Sequence, residues 1–225
     1  MESNKYISKF HFITSGENLG DYFSQIEDVC RAGADWIQLR VKDAPFDKWL
    51  DIAEKSKHLC DAFGARLIIN DSVEIAQRVQ AYGVHLGKND MNPSEARHIL
   101  GREYVIGATA NLLDEILHLP LSDIDYIGLG PFRFTDTKKN LSPVLGLAAM
   151  ADIVAQCHKR NIRLPIVAIG GISASDCTDL LENNLHGVAV SSVISKTTDR
   201  IKVTKEFLTI LKLNNESIDN CRQNI

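Results

Sequence analysis

Gln38, Arg40 and Lys42 stand at every second position of the segment Asp35-Trp-Ile-Gln-Leu-Arg-Val-Lys42, with Ile37, Leu39 and Val41 between them. Successive side chains of a β-strand point to opposite faces, so this spacing puts an amide and two cations on one face of an apolar strand. A planar guanidinium fork beside an ammonium point charge suits the oxygens of a phosphate ester or a pyrophosphate. The bland alternative is a solvated strand end, with Arg40 paired to a neighbouring carboxylate.

Asn70-Asp71 closes the next apolar run, and Asp90 follows the run after that, in Gly87-Lys-Asn-Asp90. Two carboxylates on adjacent strand ends make a sparse oxygen site of the kind Mg²⁺ takes, completed by waters and substrate phosphate oxygens. Asp71 also fits a helix cap, since Asp71-x-x-Glu74 reads as a capping box. Asp90 has less claim to that role, because Asn92 already fills the cap position of the following helix.

A long connection from Pro131 to Gly146 carries Thr135, Thr137 and Lys138, two hydroxyls and an ammonium for phosphate, or else a solvated basic loop. Gly171, in Ala168-Ile-Gly-Gly171-Ile, and Ser192, in Gly187-Val-Ala-Val-Ser-Ser192, end two further apolar runs. Small residues there let backbone N–H groups approach a phosphate, and a plain tight turn would use the same glycines. His85 lies inside an apolar run and reads as an interior histidine rather than a catalyst. No Ser/His/Asp order or Cys/His pairing stands out, which argues against covalent hydrolysis.

Residues with these roles need a scaffold that brings distant strand ends together. β-Branched runs alternate with amphipathic stretches along the chain, at Phe10 to Thr14, Asp35 to Arg40, Arg66 to Ile69, Gly83 to Leu86, Tyr104 to Ala108, Tyr126 to Gly128, Pro165 to Ile169 and Gly187 to Val190. Asn92-Pro93-Ser94-Glu95 combines an N-cap, a proline at the first helical position and an early acid, so it predicts a helix starting near Pro93. The eight βα units predict a single-domain α/β fold, a closed (β/α)8 TIM barrel over residues 1–213, with a polar and frayed tail over 214–225. An open doubly wound sheet is the competing topology.

The 225 residues, 44% of them apolar, suffice for one large core. A formal charge of -4 gives no broad attraction to nucleic acid or to anionic lipid, so anion binding must be local and the partner small. Neither a signal-peptide core nor a membrane-spanning apolar run is visible, which predicts a soluble, cytoplasmic protein. Cys30, Cys60, Cys157, Cys177 and Cys221 are scattered without a C-x-x-C pair, a pattern of reduced thiols.

In order and spacing the chain resembles the thiamine-phosphate synthase family. The blocks are Gln38-Leu-Arg-Val-Lys42-Asp, Leu67-Ile-Ile-Asn-Asp71, Gly83-Val-His-Leu-Gly87 with Asp90, Gly128-Leu-Gly-Pro131, Thr135-Asp-Thr-Lys-Lys139 and Val167-Ala-Ile-Gly-Gly-Ile172. The resemblance implies a transferase that joins hydroxymethylpyrimidine diphosphate to thiazole phosphate with Mg²⁺, releasing pyrophosphate and thiamine phosphate. It implies that Arg40, Lys42, Asn70 and Lys138 hold the diphosphate, with Arg40, Lys42 and Lys138 also catalytic, and that Asp71 and Asp90 hold the metal. Gln38 would face the pyrimidine, and Thr109, Thr135 and Thr137 would touch substrate. Gly171 and Ser192 would hold the thiazole phosphate through backbone groups.

The chain departs from that pattern at Val41, Lys88, Asn111 and Phe132-Arg-Phe134. Two other functions fit a barrel of this kind: a thiazole tautomerase, which needs acid and base residues in place of diphosphate and metal ligands, and a barrel that senses thiamine phosphates without turnover.

Overall fold

The computed structural model describes residues 5–16, 18–134 and 143–222, with backbone alone for residues 19 and 213–222. Thr135, Thr137 and Lys138 lie outside the described residues. Eight strands follow one another in the sheet and close on themselves: β1 Phe10–Ile13, β2 Trp36–Leu39, β3 Arg66–Asn70, β4 Gly83–Leu86, β5 Val105–Ala110, β6 Tyr126–Leu129, β7 Ile166–Ile169 and β8 Gly187–Val190. All neighbours pair in parallel, and closure is made by β1 on β8, with Phe10 opposite Val188. The expected (β/α)8 barrel is the observed fold.

The outer layer contains α1 Leu19–Arg31, α2 Phe46–Ala62, α3 Val73–Arg78, α4 Pro93–Leu100, α5 Leu113–His118, α6 Gly146–Lys159, α7 Cys177–Glu182, α8 Ser192–Ser195 and α9 Arg200–Arg222. Helix α4 starts where its signals put it, with Asn92 accepting from the Ser94 N–H at 2.9 Å and Pro93 at the first position. Helix α9 continues to Arg222, so the stretch set apart as a tail is helical backbone over most of its length. Thr204, Phe207 and Leu211 form the buried seam of α9, and the Phe207 ring lies 5.7 Å from that of Phe10. Burial of such a ring contributes about 1.5–3 kcal/mol.

Strand alternation divides the core in two. Ile37, Leu39 and their counterparts face the helices, while Ile13, Trp36, Ile68, Val105, Tyr126, Val167 and Ala189 fill the barrel interior. His11 joins the interior: its ring stacks on Trp36 at 4.5 Å and its Nε2–H donates to the Ser8 carbonyl at 2.9 Å. Burial holds the His11 pKa well below the ordinary histidine value, so the ring is neutral. The barrel is a packed core rather than a pore, and its chemistry is confined to the ends.

The N-terminal end is closed by ion pairs. Asp125, almost fully buried, accepts from Lys5, from Arg97 at 2.7 Å and from the Ile106 N–H at 2.8 Å. The four cysteines whose side chains are described are free and buried, and no helix among the described residues is long and apolar enough to cross a membrane.

Candidate active site

At the C-terminal ends of the strands, polar residues replace the apolar filling. Gln38 occupies the β2 position after Trp36 on the interior face, and its Nε2–H donates to Asn70 Oδ1 at 2.6 Å. Both side chains are buried, 3% and 7% exposed, so the pair forms a fixed polar floor joining the ends of β2 and β3.

The β2 ladder ends at Leu39, one residue before Arg40 and three before Lys42. Arg40 keeps the strand's course, because its backbone N–H donates to the buried Thr14 Oγ1 at 3.0 Å. Burial lowers the Arg40 pKa from its ordinary value, and the charges of Asp71, Tyr22 and Asp43 oppose the shift. A guanidinium stays protonated through such a shift, so Arg40 is a half-buried cation. Lys42 lies beyond the ladder, exposed beside a small cavity of about 120 Å³ that Tyr22 and Pro45 also line, and the chain turns at Asp43, φ 50°.

Asp71 follows β3 in the left-handed region, φ 71°, a conformation that costs a non-glycine residue roughly 1–2 kcal/mol. The turn is held by its own N–H, which donates to the His85 carbonyl at 2.8 Å, and by the Ser72 N–H on the Asn70 carbonyl at 2.9 Å. The helix cap is Ser72, whose Oγ accepts from the Ile75 N–H at 3.3 Å, so the capping alternative for Asp71 falls away. Strained backbone retained at a strand end is a feature that functional sites concentrate. One strand along, Asp90 Oδ2 accepts from the Gly87 N–H at 2.6 Å, which fixes the direction of that carboxylate beyond β4.

The sequence marks His85 as interior filling, and it is buried as expected. It also makes contacts that sequence could not show: Nδ1 lies 2.9 Å from the Tyr126 hydroxyl and Nε2 lies 2.9 Å from Thr109 Oγ1. Thr109 is thereby held on the inner face near the end of β5, across the barrel mouth from Gln38. Burial pushes the Tyr126 phenol far above its ordinary pKa, so it keeps its proton.

Gly170 and Gly171 both have positive φ, 98° and 65°, which only glycine adopts freely. The space where a Gly171 side chain would sit is taken by Arg133 Cβ at 2.8 Å. The Gly170 carbonyl accepts from the Arg133 N–H at 2.9 Å and the Gly171 carbonyl from the Arg133 guanidinium at 3.1 Å. Peptide planarity therefore turns the N–H groups of Gly171 and Ile172 away from Arg133. Arg133 also grips Asp176 with two bonds of 2.5 and 2.6 Å, and the bonded guanidinium holds that carboxyl at about 2. Ser192 opens α8 after β8, and its neighbour Ser191, read from the sequence only as a small residue of that run, has a buried hydroxyl with no hydrogen-bond partner among the described residues.

The departures from the family pattern have structural partners. Val41 packs against the helix-facing core. Lys88 pairs with Glu115, whose other carboxylate oxygen accepts the Asn111 N–H at 2.7 Å, while the Asn111 side chain donates to the Gly130 carbonyl. These two departures thus share one rim network across β4, β5 and β6. Phe134 is 64% exposed.

A closed barrel whose polar groups gather at the carboxyl ends of its strands is a (β/α)8 barrel of the enzyme class. The chain belongs to the thiamine monophosphate synthase family, whose model matches residues 10–194. It is 43% identical over 202 residues to a thiamine-phosphate synthase of Phocaeicola vulgatus, covering 90% of this chain and 97% of that one. It is 42% identical to a thiamine-phosphate synthase of Flavobacterium johnsoniae, over 86% and 91% of the two chains. Among solved structures, a thiamine phosphate pyrophosphorylase from Pyrococcus furiosus superposes with a TM-score of 0.79 at 30% identity, over 91% and 95% of the chains.

Proposed function

We propose that this transferase moves the pyrimidinylmethyl group of hydroxymethylpyrimidine diphosphate onto the nitrogen of thiazole phosphate, giving thiamine phosphate and pyrophosphate. The observation that supports this most is the gathering of Gln38, Arg40, Asn70, Asp71, His85 and Thr109 at the ends of four consecutive strands, in a chain of this family.

The difficult step is departure of diphosphate from the methylene carbon, which leaves a stabilised carbocation for the thiazole nitrogen to attack. The C–O bond breaks with its electron pair on the leaving oxygen, and the new C–N bond forms from the thiazole lone pair. Arg40 is the half-buried cation that meets the growing negative charge, and its partial desolvation strengthens that interaction. Lys42 and Lys138 add positive charge, and Asn70, fixed by Gln38, offers amide donors to the same oxygens. Gln38 and Thr109 orient the pyrimidine, with Thr135 and Thr137 as further substrate contacts. Gly171 and Ser192 receive the thiazole phosphate through backbone N–H groups, and the Ser191 hydroxyl suits the same anion. Holding both reactants in line supplies much of the rate, and no strong general base is needed.

Asp71 and Asp90 are the residues that would hold Mg²⁺. Their donor set is all oxygen, and Asp71 is not engaged as a helix cap. Among the described residues no group of three or more His, Cys, Asp and Glu is arranged for a metal, so water and substrate phosphate would complete the coordination. When bound there, the ion would supply charge neutralisation for the leaving diphosphate. Asp71→Ala and Asp90→Ala are expected to lower Mg²⁺-dependent formation of thiamine phosphate by ~10²-fold or more, with the fold intact by circular dichroism. Full activity in both variants would remove the metal assignment.

A further inference from the structure

Tyr126, His85 and Thr109, on β6, β4 and β5, form a buried polar chain behind the site. Tyr126 is 1% exposed and its ring is fitted into space that only a glycine at position 107 leaves open. A buried phenol must place its O–H on an acceptor. Among the described residues the acceptor in reach is His85 Nδ1, at 2.9 Å. If Nδ1 accepts, the neutral imidazole carries its proton on Nε2, because a neutral histidine has one donor and one acceptor nitrogen. Nε2–H then donates to Thr109 Oγ1, also at 2.9 Å. The threonine hydroxyl, occupied as an acceptor on one side, must use its own proton elsewhere.

We propose that Tyr126 is a positioning residue that locks His85 as the Nε2–H tautomer and so makes Thr109 a dedicated hydrogen-bond donor facing the barrel mouth. The ligand group it selects is an acceptor without a proton, such as a ring nitrogen of a heteroaromatic substrate. A ring that presents N–H at that point would meet a second donor and be rejected. The reverse polarity would leave the phenol proton buried without an acceptor and turn Thr109 toward the imidazole, with only lone pairs left for substrate. This selection rests on the proposed placement of the pyrimidine beside Thr109; the tautomer itself does not.

Tyr126→Phe deletes the hydroxyl and keeps the ring that fills the space beside Gly107. In the wild-type protein, two-bond ¹H–¹⁵N correlation spectra are expected to show His85 as a single Nε2–H tautomer. In Tyr126→Phe the same resonances should move toward a mixture of the two tautomers. The kcat/KM for the pyrimidine diphosphate should fall about tenfold, the value of one oriented hydrogen bond, with thiazole phosphate affinity unchanged. A wild-type spectrum showing the Nδ1–H tautomer overturns the proposal whether or not the variant folds. So does a variant that keeps both the wild-type tautomer and the wild-type kcat/KM. A wild-type protein with the Nε2–H tautomer that makes no thiamine phosphate would instead overturn the reading of the site and leave the tautomer lock in place.

Discussion

Gly107→Ala should disable the interior more than its single added methyl suggests. A Cβ at position 107 would lie 2.2 Å from Tyr126 Cζ, 2.4 Å from Cε1 and 2.5 Å from the hydroxyl oxygen, where ordinary contacts are 3.4–4 Å. Position 107 pairs directly with both Tyr126 and His85 across the sheet, so the backbone has little freedom to yield. The phenol must retreat by about 1 Å, which breaks its bond to His85. Overpacking of this kind costs ~1–3 kcal/mol and an orphaned buried hydroxyl another ~1–3 kcal/mol. Replacing a strand glycine returns roughly 0.5–1 kcal/mol. The net loss is about 3 kcal/mol, a fall in Tm of roughly 6–12 °C for a domain of this size. Thermal denaturation followed by circular dichroism measures it. Repeating the substitution in a Tyr126→Leu background, which lacks all three clashing atoms, should reduce the cost to about 1 kcal/mol or less. Equal costs in the two backgrounds, or a Tm of Gly107→Ala near that of wild type, would show that the contact with Tyr126 is not what reserves this position for glycine.

Arg40→Ala should raise the KM for the pyrimidine diphosphate by roughly 10- to 150-fold, the value of charge-assisted hydrogen bonds, while the KM for thiazole phosphate stays within about twofold; separate titrations of each substrate check the split. Asp125→Ala leaves Lys5 and Arg97 without the carboxylate that both bind, and should cost about 3–5 kcal/mol in urea unfolding with little change in KM. The Asp176 carboxyl, held at about 2 by Arg133, adds stability that is complete above about pH 4 and is lost as pH falls through about 2. Because the Arg133 side chain is half exposed, solvent screening limits that contribution to roughly 1 kcal/mol. The Tm difference between wild type and Arg133→Ala should therefore shrink across that acid window and stay constant above it.

The strands were legible because their runs are short, β-branched and evenly spaced, and β4 and β8 coincide with their predicted bounds. The end of β2 was not legible. Alternation of polar and apolar residues continues to Lys42, whereas the hydrogen-bond ladder stops at Leu39, so the pattern alone does not mark where the pairing ends. Asp71 was readable as a strand-end carboxylate, and the choice between cap and site needed coordinates, since Ser72 offers an equally good cap one residue later. The role of His85 was hidden because its partners Tyr126 and Thr109 are 41 and 24 residues away. Ser191 was legible only as one of two small residues after β8, because a hydroxyl's role is hidden until its burial is known. The polar composition after 213 suggested fraying, yet the backbone of α9 continues through it to Arg222.

The most direct test is to incubate the purified chain with hydroxymethylpyrimidine diphosphate and thiazole phosphate, with and without Mg²⁺, and to follow both products by chromatography. The predicted result is thiamine phosphate and pyrophosphate in equal amounts, formed only when the metal and both substrates are present. Tight binding of either phosphate with no product under those conditions would contradict the assignment and mark the barrel as a binder rather than a catalyst.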